Sequence, residues 1–273
     1  MSPTWDDGTS PELGAISPLG YLRAFCRGVP LVLLLILGLA LTLILRPFER
    51  LIARQSRPLT PYITCAVCTG ALALMGIKLR RIGTPMKGAG AVVANHSSWL
   101  DIFALNARKR VYFVAKSEVE GWAGIGWLAR ATGTVFIKRD RREARTQVAG
   151  FRTRLAAGHK LLFFPEGTST DGQRVLPFRT TLFAAFFDES LRDTMRVQPV
   201  TLLWHGPKGA DHRFYGWWGG MDLGPHLLAV LAQRPQGRID IHYHRPLKVA
   251  DFPDRKALAK ALEDAVRAPF LVS

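Results

Sequence analysis

An uncharged stretch of about 18 residues, 28–45, constrains this chain more than any other part of its sequence. As an α-helix it would be about 27 Å long, close to the hydrocarbon thickness of a bilayer, which is about 30 Å. A cleaved signal peptide would have a shorter apolar region after a basic start, whereas Asp6, Asp7 and Glu12 precede this stretch and Arg46 follows it. We therefore expect a retained membrane helix; the alternative is a buried helix of a soluble core.

A second uncharged stretch, residues 62–77, follows a connector that contains several arginines. It is short for a membrane span, so it predicts a re-entrant or interfacial helix, although a spanning hairpin with the first stretch stays open. Basic residues flank both stretches on both sides and do not fix an orientation. The sequence predicts a disordered lead-in over residues 1–20, a membrane anchor of one or two apolar helices over 21–77, and a catalytic domain over 78–273.

The charge balance also favours a membrane. With 37 Lys and Arg against 21 Asp and Glu, the formal net charge is +16, which attracts polyanions such as nucleic acid or an anionic bilayer. No nucleic-acid recognition module is visible, and only a membrane also explains the apolar stretch, so we expect no nucleic-acid partner. Cys26, Cys65 and Cys68 form no disulfide framework and lack further ligands for zinc, so no metal site is predicted.

Beyond residue 78, short β-rich runs alternate with helical stretches, a pattern that is typical of an α/β layer structure. The run at 238–244 alternates apolar and polar residues, which predicts a strand at an exposed edge of the sheet. The other strand candidates are mostly continuous apolar runs, as in strands that are buried on both faces. They are residues 91–94, 111–115, 135–137, 161–164 and 197–203, and the helix candidates lie near 118–130, 141–157, 180–190, 222–233 and 255–267.

The first polar cluster comes where the apolar run 91–94 ends, in Asn95-His96-Ser97-Ser98-Trp99-Leu100-Asp101. In an ideal helix, His96 and Asp101 would point about 140° apart, so they can meet only if His96 lies in a turn before the helix and folds back. A carboxylate on one imidazole nitrogen fixes the tautomer and leaves the other nitrogen free to take a proton from a hydroxyl. We therefore predict that His96 is a general base and that Asp101 orients it.

Two more polar clusters follow strand candidates. Lys138 and Arg139 come after the run that contains Val135, and Glu166, Gly167 and Thr168 come after the run that ends at Phe164. Polar clusters at the ends of several strands indicate one shared site.

These blocks, in this order, resemble the glycerolipid and lysophospholipid acyltransferase family over roughly residues 78–205. The resemblance implies a mixed central sheet flanked by helices, as in glycerol-phosphate acyltransferases, with an N-terminal helical membrane anchor. It implies direct transfer of an acyl group from an acyl-CoA or acyl carrier protein thioester to a lysolipid hydroxyl, without a bound cofactor, a metal or an acyl-enzyme. His96 and Asp101 would be catalytic, and the substrate-binding positions would be Asn95, Lys138, Arg139, Glu166, Gly167 and Thr168.

One position departs from the family pattern. Members that act on lysophosphatidate usually have an arginine directly after Glu-Gly-Thr, where a guanidinium can bind phosphate through two hydrogen bonds. Here that residue is Ser169, and the surrounding residues resemble the lyso-ornithine lipid acyltransferase branch. Arg174 or Arg179 could replace the missing arginine. The expected acceptor is 1-acyl-sn-glycerol-3-phosphate, giving phosphatidate in phospholipid biosynthesis, and the alternative acceptor is lyso-ornithine lipid.

A remoter alternative is a non-catalytic lipid-binding protein of the same fold. If the source is bacterial, we expect the chain in the cytoplasmic membrane with its catalytic domain facing the cytoplasm. The aromatic residues of the last third are expected to pack in the core or to form an interfacial belt, with no specific chemistry. They are Trp204, Phe214, Tyr215, Trp217 and Trp218.

Overall fold

The structure is a computed structural model that describes residues 4–54, 56–107, 109–121, 125–137 and 144–271. Short 3-10 segments occupy Ser117–Gly121, Thr180–Phe187, Val249–Asp251 and Ala268–Leu271. The α-helices are α1 (Pro18–Ala53), α2 (Thr60–Met75), α3 (Leu100–Asn106), α4 (Ile125–Thr132), α5 (Ala144–Ala156), α6 (Leu223–Ala232) and α7 (Arg255–Arg267). The strands are β1 (Lys78–Gly83), β2 (Gly90–Ala94), β3 (Tyr112–Lys116), β4 (Val135–Ile137), β5 (Lys160–Phe163), β6 (Arg196–His205), β7 (Arg238–Tyr243) and β8 (Leu247–Lys248).

The strands form one mixed sheet in the order β1-β7-β6-β2-β5-β3-β4, and β8 pairs with β6. The pairs from β6 through β2, β5 and β3 to β4 are all parallel. On the other side, β7 is antiparallel to β6, and β1 is parallel to β7. The predicted mixed sheet of an α/β fold is confirmed. Because β2 and β5 are parallel neighbours, the loops that follow them leave the sheet at the same edge.

Side chains of the central strands alternate between two cores. Val92 and Ala94 pack into a cluster with α1, α2, α3 and α6, whereas Ala91 and Val93 pack with α5, α7 and the 3-10 segment Thr180–Phe187. This alternation follows from the period of two in a strand, and helices on both faces explain why these runs are apolar throughout.

The N-terminal apolar stretch forms the 36-residue helix α1, which is long and apolar enough to cross a membrane, with a mean hydropathy of 2.8 in its most apolar window. Only 11% of that window is buried in the protein. The shorter α2 runs antiparallel to α1, and glycines allow close contact: a Cβ on Gly38 would lie 2.3 Å from Val67, and one on Gly70 would lie 2.9 Å from Leu34. The two helices therefore form a packed hairpin that leaves much of the apolar surface of α1 exposed.

The last residues of the predicted lead-in belong to the first helix. The sequence predicts disorder over residues 1–20, but α1 already begins at Pro18, because the Ser17 side chain accepts a hydrogen bond from the Gly20 N–H. Residues 4–17 contain no helix or strand, yet the Trp5 N–H donates to Thr168 Oγ1 at 3.1 Å. The polar groups of this segment thus find partners on the domain. The division at residues 77 and 78 stays a prediction.

The predicted edge position of the run 238–244 is wrong, because β1 pairs with the far side of β7. The polar residue Asp240 is buried, and its carboxylate accepts from Arg80 and lies 2.9 Å from His205 Nε2. The ion pair with Arg80 and the contact with His205, not solvent, therefore satisfy Asp240 on the polar side of the alternating pattern. The edge strand β1 itself escaped prediction, since its sequence KLRRIG is half cationic and has no regular apolar period.

The other predicted strands are confirmed within one or two residues, and so are the helices at 222–233 and 255–267. Of the helix predicted at 141–157, residues 144–156 are helical, and residues 141–143 lie outside the described residues. The helix predicted near 118–130 is instead a 3-10 segment followed by α4, and that predicted near 180–190 is the 3-10 segment Thr180–Phe187.

Candidate active site

The candidate site lies where β2 and β5 end. His96 comes two residues after the end of β2, and Glu166 comes three residues after the end of β5. The last register pair of β2 with β6 is Ala94 with Val200, but β6 continues to His205. The extra length of β6 therefore runs beside the turn that carries His96, and it supplies partners to that turn.

His96 and Asp101 meet as the sequence predicts. The imidazole Nδ1 lies 2.8 Å from Asp101 Oδ2, with His96 in the turn and Asp101 in the first turn of α3. The same carboxylate oxygen accepts the backbone N–H groups of Ser97 at 2.8 Å and Ser98 at 3.0 Å. An acidic side chain that reaches back to free N–H groups is a common way to start a helix. Here it also folds the turn back toward the carboxylate.

The Asp101 carboxylate is fully buried and fully engaged. Its second oxygen, Oδ1, accepts the indole N–H of Trp204 at 2.7 Å, from the part of β6 that extends past β2. Hydrogen bonds to an ionised acceptor in a buried place are stronger than neutral ones. Trp204 is therefore part of the site, although the sequence predicts only core packing or an interfacial belt for it. Trp204 and Asp101 lie 103 positions apart, so no local sequence pattern predicts their contact.

The imidazole of His96 has one committed nitrogen and one available nitrogen. Since a carboxylate only accepts, Nδ1 carries the proton and Nε2 is the unprotonated nitrogen of the neutral ring. The ring stacks on Phe164, with the centroids 4.1 Å apart, and 23% of the side chain is exposed. The geometry thus presents an oriented proton acceptor to the surface of the site.

Glu166 joins two loops. Its carboxylate accepts the His96 N–H through Oε1 and the Leu176 N–H through Oε2, each at 2.7 Å. Burial raises the pKa of Glu166 to about 8 and outweighs these two hydrogen bonds, which act in the opposite direction. The sequence predicts that Glu166 holds the acceptor headgroup, whereas in the structure both oxygens are occupied by backbone groups and the residue is buried. These contacts hold the backbone of His96 and Leu176, and the headgroup contact of Glu166 stays a prediction.

The other predicted substrate-binding residues differ in placement. Asn95 is buried, and its amide exchanges two hydrogen bonds with the backbone of Leu202, at 3.0 and 2.7 Å, so it extends the pairing of β2 with β6. Gly167 adopts φ +75° in the turn after Glu166, and Thr168 is half-buried beside it. Lys138 and Arg139 lie outside the described residues.

Two arginines could replace the one that the family pattern has at position 169. Arg174 lies against Asp171, with its Nη2 2.9 Å from Oδ2, and the Arg179 Nε donates to the Glu166 carbonyl at 3.0 Å. Ser169 itself is buried. Both guanidinium groups therefore already have protein partners.

Known proteins share this architecture. The protein-family model described as Acyltransferase matches residues 78–202. The lyso-ornithine lipid O-acyltransferase of Rhodobacter capsulatus is 51% identical over 97% of this chain and 96% of its own length. The lyso-ornithine lipid O-acyltransferase of Brucella abortus is 38% identical over 71% of this chain and 76% of its own. The 1-acyl-sn-glycerol-3-phosphate acyltransferase of Neisseria gonorrhoeae is 31% identical over 74% of this chain and 78% of its own.

A solved structure agrees on the fold. The 1-acyl-sn-glycerophosphate (LPA) acyltransferase of Thermotoga maritima superposes with a TM-score of 0.55, covering 90% of this chain and 97% of that one at 20% identity. The likeness to this structure concerns the fold, and the similarity at 51% identity over nearly the full length shows the family. This chain belongs to the acyltransferase family.

Proposed function

We propose that this protein transfers a fatty acyl group from an acyl-CoA or acyl carrier protein thioester to the free hydroxyl of a lyso-ornithine lipid. The contact of 2.8 Å between His96 Nδ1 and Asp101 Oδ2 carries the proposal, because it orients a neutral imidazole to take a proton from an alcohol. The similarity to lyso-ornithine lipid O-acyltransferases supports the choice of acceptor.

In the proposed reaction, Nε2 of His96 takes the proton of the acceptor hydroxyl while its oxygen attacks the thioester carbonyl carbon. The new carbon–oxygen bond forms the ester, the carbon–sulfur bond breaks, and the proton passes from the imidazolium to the departing thiolate. The Asp101 carboxylate stabilises the imidazolium in between. Its three further donors, from Ser97, Ser98 and Trp204, hold it in place throughout.

The structure around Ser169 supports an acceptor without a phosphate monoester. The expected phosphate-binding arginine is absent there, and Arg174 is paired with Asp171. An ornithine lipid carries a carboxylate and an ammonium group instead of a phosphate, so it needs no such arginine. The second candidate acceptor is 1-acyl-sn-glycerol-3-phosphate, which the similarity to the Neisseria enzyme favours. Lys138 and Arg139 are the cations proposed to meet either headgroup.

The exposed apolar surface of α1 supports a membrane location, where a lysolipid acceptor would reside. We place the protein in the cytoplasmic membrane of a bacterium, in line with the bacterial relatives, and its catalytic domain on the cytoplasmic side, where thioester donors are made.

The test is an acyl-transfer assay with the purified full chain in detergent. Labelled acyl-CoA and acyl carrier protein thioesters are offered with lyso-ornithine lipid, lysophosphatidate and other lysolipids. We expect acylation of lyso-ornithine lipid and a loss of roughly 10²- to 10⁴-fold in rate for His96→Ala. His212→Ala is the matched control, because His212 is exposed and lies outside the site.

Two results would contradict the proposal. Full activity in His96→Ala would show that His96 is not the general base. Indifference of the wild type to every lysolipid would leave the non-catalytic lipid-binding protein as the better interpretation. A clear preference for lysophosphatidate would keep the chemistry and replace the acceptor.

A further inference from the structure

A cavity lined largely by arginines lies beside the N-terminal helix α1. It has a volume of about 620 Å³ and separates the C-terminal half of α1 and its connector from α4 and α5. Among the described residues, its lining contains no acidic side chain. It contains six arginines, Arg46, Arg50, Arg54, Arg57, Arg130 and Arg154.

Most of this positive charge is not neutralised by the protein. Glu49 pairs with Arg46 at 3.0 Å, but its carboxylate also accepts from Thr60 and the Leu59 N–H. Arg130 lies 3.6 Å from an exposed carboxylate on the segment before α4. The other four arginines have no carboxylate within ion-pair distance in the part of the chain that the structure describes. Crowded cations without counter-ions favour an anion in the space between them.

Two of the six arginines are held in place by the fold. The Arg57 Nη1 donates to the Ala131 carbonyl at 3.0 Å, and Arg154 donates to the Gly133 carbonyl. Both guanidinium groups also lie over the ring of Tyr112, at 6.0 and 4.5 Å from its centroid. A Cβ on Gly133, which has φ +85°, would lie 2.5 Å from Arg57 Nη1. The close approach therefore depends on a glycine at this position.

These two arginines remain cationic although they are partly removed from water. Burial and the neighbouring arginines lower the pKa of Arg57 to about 10, which still leaves it protonated at neutral pH. The Nε atoms of Arg57 and Arg154 are buried without a hydrogen-bond partner. Burying positive charge is unfavourable unless an anion compensates it. The described side chains supply no such anion to Arg57 and Arg154, so a bound anion would stabilise them.

The cavity is separate from the candidate active site. Gly133 precedes β4, and Arg154 lies just before β5, because the His159 N–H ahead of that strand bonds back to the Arg154 carbonyl. The arginines thus lie at the amino ends of parallel strands, whereas His96 and Glu166 follow the carboxyl ends. An anion bound here would not be the reacting hydroxyl compound.

The cavity also borders the apolar surface of the anchor. Leu43 and Trp127 line it and are 46% and 62% exposed. The neighbouring α1 side chains Ile44, Phe48 and Leu51 are exposed as well. A ligand in this cavity would therefore meet cations at one end and an apolar helix surface at the other. That combination matches a lipid with an anionic phosphate headgroup.

We propose that this cavity binds the phosphate headgroup of an anionic membrane phospholipid whose acyl chains lie along the exposed surface of α1. The same phosphate chemistry occurs in coenzyme A, which has no diacyl tail. The lipid would fix the hairpin of α1 and α2 against α4 and α5. Arg50 and Arg54, which are exposed, would be the first cations that a headgroup meets.

The test measures lipid retention by the purified full chain in a neutral detergent. The protein is incubated with phosphatidylglycerol or phosphatidylcholine, separated from free lipid, and its bound lipid is quantified by native mass spectrometry. We expect retention of phosphatidylglycerol only, and an affinity about 30-fold lower in the double variant Arg50→Gln with Arg54→Gln. The matched control is Arg81→Gln with Arg255→Gln, which removes the same charge from exposed positions elsewhere. Circular dichroism checks that both variants are folded.

Equal retention of both lipids, or equal loss in both double variants, would overturn the proposal, because the binding would then be nonspecific. Competition by free coenzyme A at micromolar concentration, without selective retention of phosphatidylglycerol, would also overturn it and assign the cavity to the acyl donor. Neither result depends on the identity of the acceptor, so failure here leaves the proposed reaction intact.

Discussion

Replacing Trp204 with phenylalanine tests whether the buried indole N–H contributes to catalysis. The change keeps an aromatic ring in a position that is 7% exposed but removes the donor that lies 2.7 Å from Asp101 Oδ1. A hydrogen bond to a charged group contributes about 1.5–3 kcal/mol, and its loss leaves a buried carboxylate oxygen without a partner. If Asp101 then no longer holds His96 in one orientation, the lost free energy of this hydrogen bond raises the barrier of the reaction. That free energy corresponds to a decrease of about 10- to 150-fold in kcat.

The assay is steady-state acyl transfer with lysolipid concentration varied, so that kcat and KM separate. We expect the decrease in kcat, with KM for the lysolipid within about twofold of wild type, since Trp204 acts through Asp101 and not on the substrate. Trp217→Phe is a matched control, because the Trp217 indole nitrogen is buried and has no hydrogen-bond partner among the described residues. Equal effects of the two substitutions, or an effect confined to KM, would refute the positioning role.

Three further substitutions test the supports of the site and the domain. Burial holds the pKa of Glu166 in the folded protein at about 8, above the ordinary value of 4.5, so the contribution of this carboxyl group to stability is fully present below about pH 4.5 and is lost as the pH rises to about 8. Denaturant titrations should show the free energy of unfolding falling over that range in wild type and staying flatter in Glu166→Gln; parallel curves would contradict this. Asn95→Ala leaves the backbone N–H and carbonyl of Leu202 unpaired, so we expect about 3 kcal/mol of destabilisation and a lower Tm, and an unchanged Tm would show that water replaces the amide. Asp254→Ala removes the acceptor for two N–H groups at the start of α7 and should lower the Tm without changing kcat, so an effect on kcat would contradict the assignment of this residue to stability alone.

Local sequence patterns predicted those elements whose burial is visible within a single stretch of residues. The strands β2, β5 and β6 are buried on both faces, so their sequences are continuously apolar and predicted strands without a structure. The strand β1 was missed, because its stability comes from pairing with β7 and from the contact of Arg80 with Asp240, neither of which leaves a periodic signal. The alternation of β7 wrongly predicted an edge strand, because an ion pair can satisfy a buried polar residue as well as water satisfies an exposed one.

Contacts of the candidate site that are local in sequence were predicted, and those that are distant in sequence were not. His96 and Asp101 are five residues apart, so turn geometry alone predicted how they would meet. The hydrogen bond from the His96 N–H to the Glu166 carboxylate spans 70 positions, so no local pattern predicted it. The contact of Glu166 with the acceptor headgroup stays a prediction. Lysolipid chemistry came from the resemblance of whole blocks, not from any single residue.

The turn that carries His96 is fixed from several directions before any substrate is present. Its N–H donates to Glu166, its carbonyl accepts from the Thr170 N–H at 2.9 Å, and the next carbonyl, of Ser97, accepts from the Trp217 N–H at 2.8 Å. These partners come from two different loops, and each fixes backbone and not only side chain. A base whose backbone and ring are both held loses little freedom in the transition state, so the cost of orienting it is met by folding and not by substrate binding. In the proposed reaction, the loops after β5 and β6 would therefore act through His96, even where they touch no substrate.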